Sequence, residues 1–186
     1  MEKILKVVNK FLKKNFNITA YWNEDFEARV ESREVGFTIA PLAEDTQFFV
    51  NDAIARYPYI NADPFLWLLF HEVGHIMTEN IWTAEELEYF DAQKESLAYT
   101  EDDQMRNDWY HAVPDEFMAT RWAANYMAKN QKKVAKFWNE LQNTIIEFYT
   151  LNHLNDLNND EEEEEWEDNL IMIDEEGIRW YRVGNN

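Results

Sequence analysis

Apolar residues Ile4, Leu5, Val8, Phe11 and Leu12 recur at helical spacing with lysines on the opposite side, which predicts an amphipathic helix over residues 2–15. The period then shortens. ITAYW (18–22), FEARVE (26–31), EVGFTIA (34–40) and TQFFVN (46–51) are β-rich runs separated by polar or proline-containing breaks, so a small, mostly antiparallel sheet is expected, with Gly36 read as a bulge position. Asp63 followed by Pro64 is an N-cap with proline at the first helical position, and it opens a helix that can run to about Glu79. Further helices are expected over 83–99, 114–129 (opened by Pro114) and 131–151. The stretch LNDLNNDEEEEEWEDN then reads as a solvated or disordered acidic arm, and LIMIDEEGIRWYRV as two short strands around a Glu-Glu-Gly turn. The chain is thus expected to be α+β: a domain over 1–155, an arm over 156–168, and a hairpin over 169–186 that packs on the domain.

Composition narrows the class. At 186 residues, 46% of them hydrophobic and 16% aromatic, the chain has enough apolar material for one globular core. Its apolar runs are too short to cross a bilayer, and the lysine-rich start lacks the apolar core and cleavage site of a signal peptide, so a cytoplasmic protein with no membrane association is expected. There are 37 acidic residues against 17 basic ones, for a net charge of −20, which argues against direct binding to nucleic acid. With no cysteine, any metal must be held by histidine and carboxylate.

Residues 65–80, FLWLLFHEVGHIMTEN, place two of the four histidines four apart inside an apolar run. On a helix, His71 and His75 lie one turn apart on one face and can reach a single tetrahedral metal. Glu72 sits about 100° further round, positioned to accept a proton from a water that the metal activates, not to serve as a ligand. The alternative reading is two satisfied core or cap histidines; against it, the motif lies on a well-started helix that follows a sheet, the context it needs. A catalytic zinc normally takes a third protein ligand. Glu116 in HAVPDEFMATRWAANYM (111–127) is the best candidate: it shares a helix face with Ala119, Thr120 and Ala123, and small residues there, with Gly74 opposite, permit the close helix packing that a ligand on a second helix requires. Asp115 and His111 are reserve ligands, and complementing the helix dipole is the plain alternative for both acids. An oxyanion donor is also needed for peptide hydrolysis. His111 is preferred for that catalytic role, ahead of Tyr110 and Tyr89, although a histidine there can equally be a cap. The aromatic residues at helical spacing, Trp122 with Tyr126 and Phe137 with Trp138, are assigned to the core.

HEVGH followed downstream by E-x-x-A, in the form DEFMATRWAANYM, resembles the gluzincin metallopeptidases, and most of all their ImmA/IrrE-type and phage-encoded members. The resemblance covers roughly residues 1–130. It implies a zincin-like helical core carrying the motif helix behind a short sheet, zinc (Zn2+) held by His71, His75 and Glu116, and Glu72 as general base. Where such families often have Asp or Asn after the alanine, this chain has Thr120.

The function expected is therefore a zinc-dependent metallopeptidase that hydrolyses a specific protein, its water activated by zinc and Glu72. The alternative is an acidic binding or inhibitor protein that mimics nucleic acid, with a structural or absent metal. Residues 57–93 hold Asp63, Glu72, Glu79, Glu85, Glu86, Glu88 and Asp91 with no Lys or Arg. If these segments flank the zinc, they predict a protein substrate segment rich in Lys or Arg, to which the acidic arm adds recruitment or only solubility.

Overall fold

A computed structural model describes residues 1–60, 62–97, 99–158, 172–174 and 177–179, with side chains through residue 151 except that of Asp45. The chain forms helix α1 (Glu2–Phe16), strands β1 (Thr19–Trp22), β2 (Glu27–Arg29) and β3 (Glu34–Phe37), and helices α2 (Glu44–Arg56), α3 (Pro64–Thr78), α4 (Ala84–Leu97), α5 (Asp103–Ala112), α6 (Pro114–Lys129) and α7 (Gln131–Asn158). The architecture is α+β, as expected, and none of the described helices is long and apolar enough to cross a membrane.

Helix α3 is the centre. The Asp63 carboxylate accepts a hydrogen bond from Phe65 N–H, Pro64 occupies the first turn, and every residue from Phe65 to His71 is buried, as suits a helix that is apolar all round. On one side of it lies α6. A Cβ on Gly74 would stand 2.5 Å from the Ala119 carbonyl oxygen and 2.8 Å from its Cα, so the two helices touch backbone to backbone at this point. Helices α1 and α7 close the core with Ile4, Val8 and Leu12 facing Val134, Phe137, Leu141 and Ile145, and Phe11 stacks on Phe137 at 4.2 Å.

The sheet differs from expectation. Its order is β1-β3-β2, with β1–β3 parallel and β2–β3 antiparallel, so it is mixed. The turn after β2, with Arg33 at φ 55°, returns the chain between the two earlier strands, and β3 takes the central place because Val35, Gly36 and Phe37 are its buried residues. Register runs unbroken through Gly36, opposite both Tyr21 and Glu27, so it is not a bulge. Glycine stands there because a Cβ would meet Glu27 Cγ at 2.9 Å and the Tyr21 ring at 3.0 Å. The outer edge of β1 is closed by the Asn9 side chain, which pairs with both the N–H and the C=O of Ala20.

The run TQFFVN is helical, not a strand. Val50, Ala53 and the partly buried Phe49 and Ile54 form a helical stripe that extends past the six-residue run, and α2 lays it against α3. Helix α5 was not expected. Its buried residues, Asn107 and His111, are polar while Met105 and Trp109 are exposed, so it carries no apolar stripe; its start is marked only by Asp102, whose side chain accepts from Met105 N–H. Trp122 and Tyr126 stack at 5.3 Å and pack against the core, where Phe137 is buried and Trp138 partly so. Helix α7 continues to Asn158, into the start of the expected arm, whose remainder lies outside the described residues. Met172–Asp174 and Gly177–Arg179 pair as antiparallel strands β4 and β5 where the hairpin was expected; its turn and its packing lie outside the description.

Candidate metal centre

The α3–α6 contact that Gly74 and Ala119 permit also brings His71, His75 and Glu116 together. His71 Nε2 lies 3.0 Å from Glu116 Oε2 and 3.2 Å from His75 Nε2, and His75 Nε2 lies 3.5 Å from Glu116 Oε2. A tetrahedral centre with ligands about 2.05 Å away has ligand–ligand edges of about 3.3 Å, so this triangle has the dimensions of one face of such a centre. Two imidazole nitrogens and a carboxylate oxygen this close together need a proton or a cation among them. For a proton the outcome is visible at His75: burial opposes its charged form, but the hydrogen bond and charge of Glu116 outweigh that and raise its pKa to about 9. Burial likewise works against the Glu116 carboxylate, yet the two imidazoles hold its pKa well below the ordinary range.

The surroundings are net negative. Glu72, Asp115 and Glu116 are three carboxylates with one ammonium, Lys94, among them, which leaves two negative charges when all are ionised. Thr120 Oγ1 lies 3.0 Å from His71 Nδ1, behind the ring; the tautomer in which Nδ1–H donates to it leaves the Nε2 lone pair for a metal. Asp115, the reserve ligand, turns away: its Oδ2 meets Lys94 Nζ at 2.9 Å, and Oδ1 is buried without a hydrogen-bond partner.

An open cleft of about 890 Å³ reaches the His71 edge of the cluster, with His71, Glu72, Lys94 and Tyr110 on its wall, while His75 and Glu116 lie behind it. Burial raises the pKa of Glu72, partly offset by His71 and His75, which makes it a stronger base than an exposed glutamate. Burial and the charges of Glu116 and Glu72 raise the pKa of Tyr110, so its hydroxyl stays protonated at neutral pH. His111 is placed elsewhere. It is buried, its ring stacks on Phe49 at 4.4 Å, and its Nε2 is 3.2 Å from Asp52 Oδ2 but out of line for a hydrogen bond. Tyr89 is exposed beside another groove, with Gln93 and Trp109.

Charge on the cleft comes from Glu24, Asp25, Glu44 and Asp103 as well as Glu72, against Lys94 and Arg106. Asp63, Glu79, Glu85, Glu86, Glu88 and Asp91, expected to flank the site, are not on its wall. Lys94 was not singled out in the sequence. It stands one residue past the cation-free stretch and three after Asp91, the signature of an ordinary surface pair on a helix. Compared with protein-family models, with curated proteins and with solved structures, the chain finds no match in any of the three.

Proposed function

We propose that the chain is a zinc-dependent peptidase built on a zincin-like core, with His71, His75 and Glu116 as ligands and Glu72 as general base. The observation that carries this reading is the His71–His75–Glu116 triangle, of tetrahedral-face dimensions, with the non-ligand Glu72 beside it on the wall of an open cleft. Zinc held there supplies Lewis acidity toward a carbonyl and makes a water acidic enough to be deprotonated near neutral pH. Glu72 takes that proton and passes it to the leaving amine, a task for which its raised pKa suits it. Tyr110, a neutral phenol on the same wall, donates to the oxygen on which negative charge develops. Thr120 keeps His71 in the tautomer that presents Nε2. The excess of carboxylates on the cleft favours a substrate segment carrying Lys or Arg, whose arrival slows as salt rises.

Metal analysis and a peptide-library digest test this together. The purified protein should carry about one zinc per chain and lose it on His71→Ala. Glu72→Gln should keep the zinc and the fold while cleavage falls by about 10²–10⁴-fold. Metal-free protein of normal fold, or undiminished cleavage by Glu72→Gln, overturns the assignment.

A further inference from the structure

Lys94 projects from α4 into the corner between α3 and α6, with 22% of its side chain exposed. Its Nζ lies 2.9 Å from Asp115 Oδ2, 3.3 Å from Glu116 Oε1 and 2.9 Å from Asp91 Oδ1, so its three protons can all be directed at carboxylates. Glu116 is thereby divided. Oε2 faces the two imidazoles, and Oε1 faces the ammonium. A lysine that only paired with Asp91 would keep its head in water, because withdrawing an ammonium from solvent is costly unless partners replace its hydration. Here the partners are a ligand carboxylate and its sequence neighbour, both nearly inaccessible to solvent.

We propose that Lys94 is a positioning residue of the metal centre: by engaging Oε1 it keeps Glu116 a one-oxygen donor. The proposal rests on the reading of His71, His75 and Glu116 as ligands. A carboxylate with both oxygens free can close on a metal through both, and the second oxygen then occupies the position that water or a substrate carbonyl needs. With Oε1 held, the chain supplies three donor atoms and leaves one position open. The ammonium also draws electron density from Glu116 through a charge-assisted contact, which weakens its donation and leaves a bound cation more electrophilic. Tyr110, on the wall of the same cleft, is a neutral phenol and adds no charge, so it does not replace Lys94 in this second effect.

The full chain loaded with Co2+ in place of zinc reports coordination number through its visible spectrum. Wild type should show the intense bands of a four-coordinate ion. Lys94→Met should lose absorptivity several-fold, as a fifth donor enters, and its kcat should fall by roughly 10–100-fold, the range for residues that support a ligand, with KM within about twofold. Lys94→Arg, which keeps the charge and can reach the same oxygen, should recover most of the wild-type spectrum. If Lys94→Met fails to fold because Asp115 is left buried and unpaired, Lys94→Met/Asp115→Asn removes that charge and carries the same expectation. A folded variant of either kind with the wild-type spectrum and kcat overturns the proposal. Wild type that takes up no Co2+ overturns the metal reading and this proposal with it. Wild type that binds Co2+ but cleaves no peptide overturns only the peptidase assignment, and the spectra still decide the role of Lys94.

Discussion

Replacing Gly74 by Ala adds one methyl group at the closest point between α3 and α6. The new carbon would lie 2.5 Å from the Ala119 carbonyl oxygen, whereas such carbon–oxygen contacts settle at about 3.3 Å or more, so the helices must separate locally by about 0.8 Å. No side chain can swing aside, because the three nearest atoms are all Ala119 backbone. Overpacking of this kind costs about 3 kcal/mol, and the better helix propensity of alanine returns about 1, for a net loss of about 2 kcal/mol. In a chain of 186 residues that lowers Tm by about 4–8 °C. The metal centre should suffer more than the fold. Glu116 lies less than one turn before Ala119 on the displaced helix, and metal–ligand distances tolerate only about 0.2 Å, so zinc affinity should drop by about tenfold or more. Calorimetry in the presence of chelator gives the first quantity, and competition against a chromophoric chelator gives the second. Adding Ala119→Gly should not rescue either one, since trimming its methyl leaves the clashing oxygen and Cα in place. A Gly74→Ala protein with unchanged Tm and zinc affinity would refute the close-packing account of the site.

Two other outcomes follow from single contacts. Thr120→Val removes the hydroxyl 3.0 Å from His71 Nδ1 and should weaken zinc binding by about tenfold while Thr120→Ser does not; equal affinities in chelator competition would show that His71 needs no such support. Burial, with the Arg56 guanidinium nearby, pushes the His111 imidazole down to about 4 in spite of Asp52. Above pH 6.5 both folded and unfolded chains hold it neutral, and as pH falls from 6.5 toward 4 only the unfolded chain takes up the proton, so stability is lost over that window. With chelator present throughout, denaturant titrations should give His111→Gln a loss between pH 7 and pH 4.5 smaller than that of wild type by about 2 kcal/mol. Parallel losses would mean that His111 is not buried neutral.

What the sequence determined by itself is what neighbours along the chain determine. Asp63 and Pro64 start α3, Pro114 starts α6, and a four-residue spacing on a helix puts His71 and His75 on one face with Glu72 off it, because 3.6 residues per turn is a local rule. Gly74 and Ala119 could be read as permission for close packing, since small side chains are a local property too. Where evidence had to cross between elements, the reading stayed open or went astray. Nothing in the order of residues says that β3 returns between β1 and β2, and hence that one pair is parallel. The short apolar run in α2 fits a strand as well as a helix until α3 supplies a surface for its stripe, and α5 buries polar residues that carry no periodic signal. The same limit governs the site. Only the packing of α6 on α3 sets Glu116 Oε2 3.0 Å from His71 while Asp115, one residue earlier and of like chemistry, turns toward Lys94. Only α5 against α6 decides that Tyr110 lines the cleft while His111 lies against Phe49 and Asp52, and only α4 brings Lys94 to Glu116 across 22 residues of chain. Spacing along one helix restricts the angles among its own side chains. Distances between helices depend on how every buried face packs at once, and that is a property of the whole core.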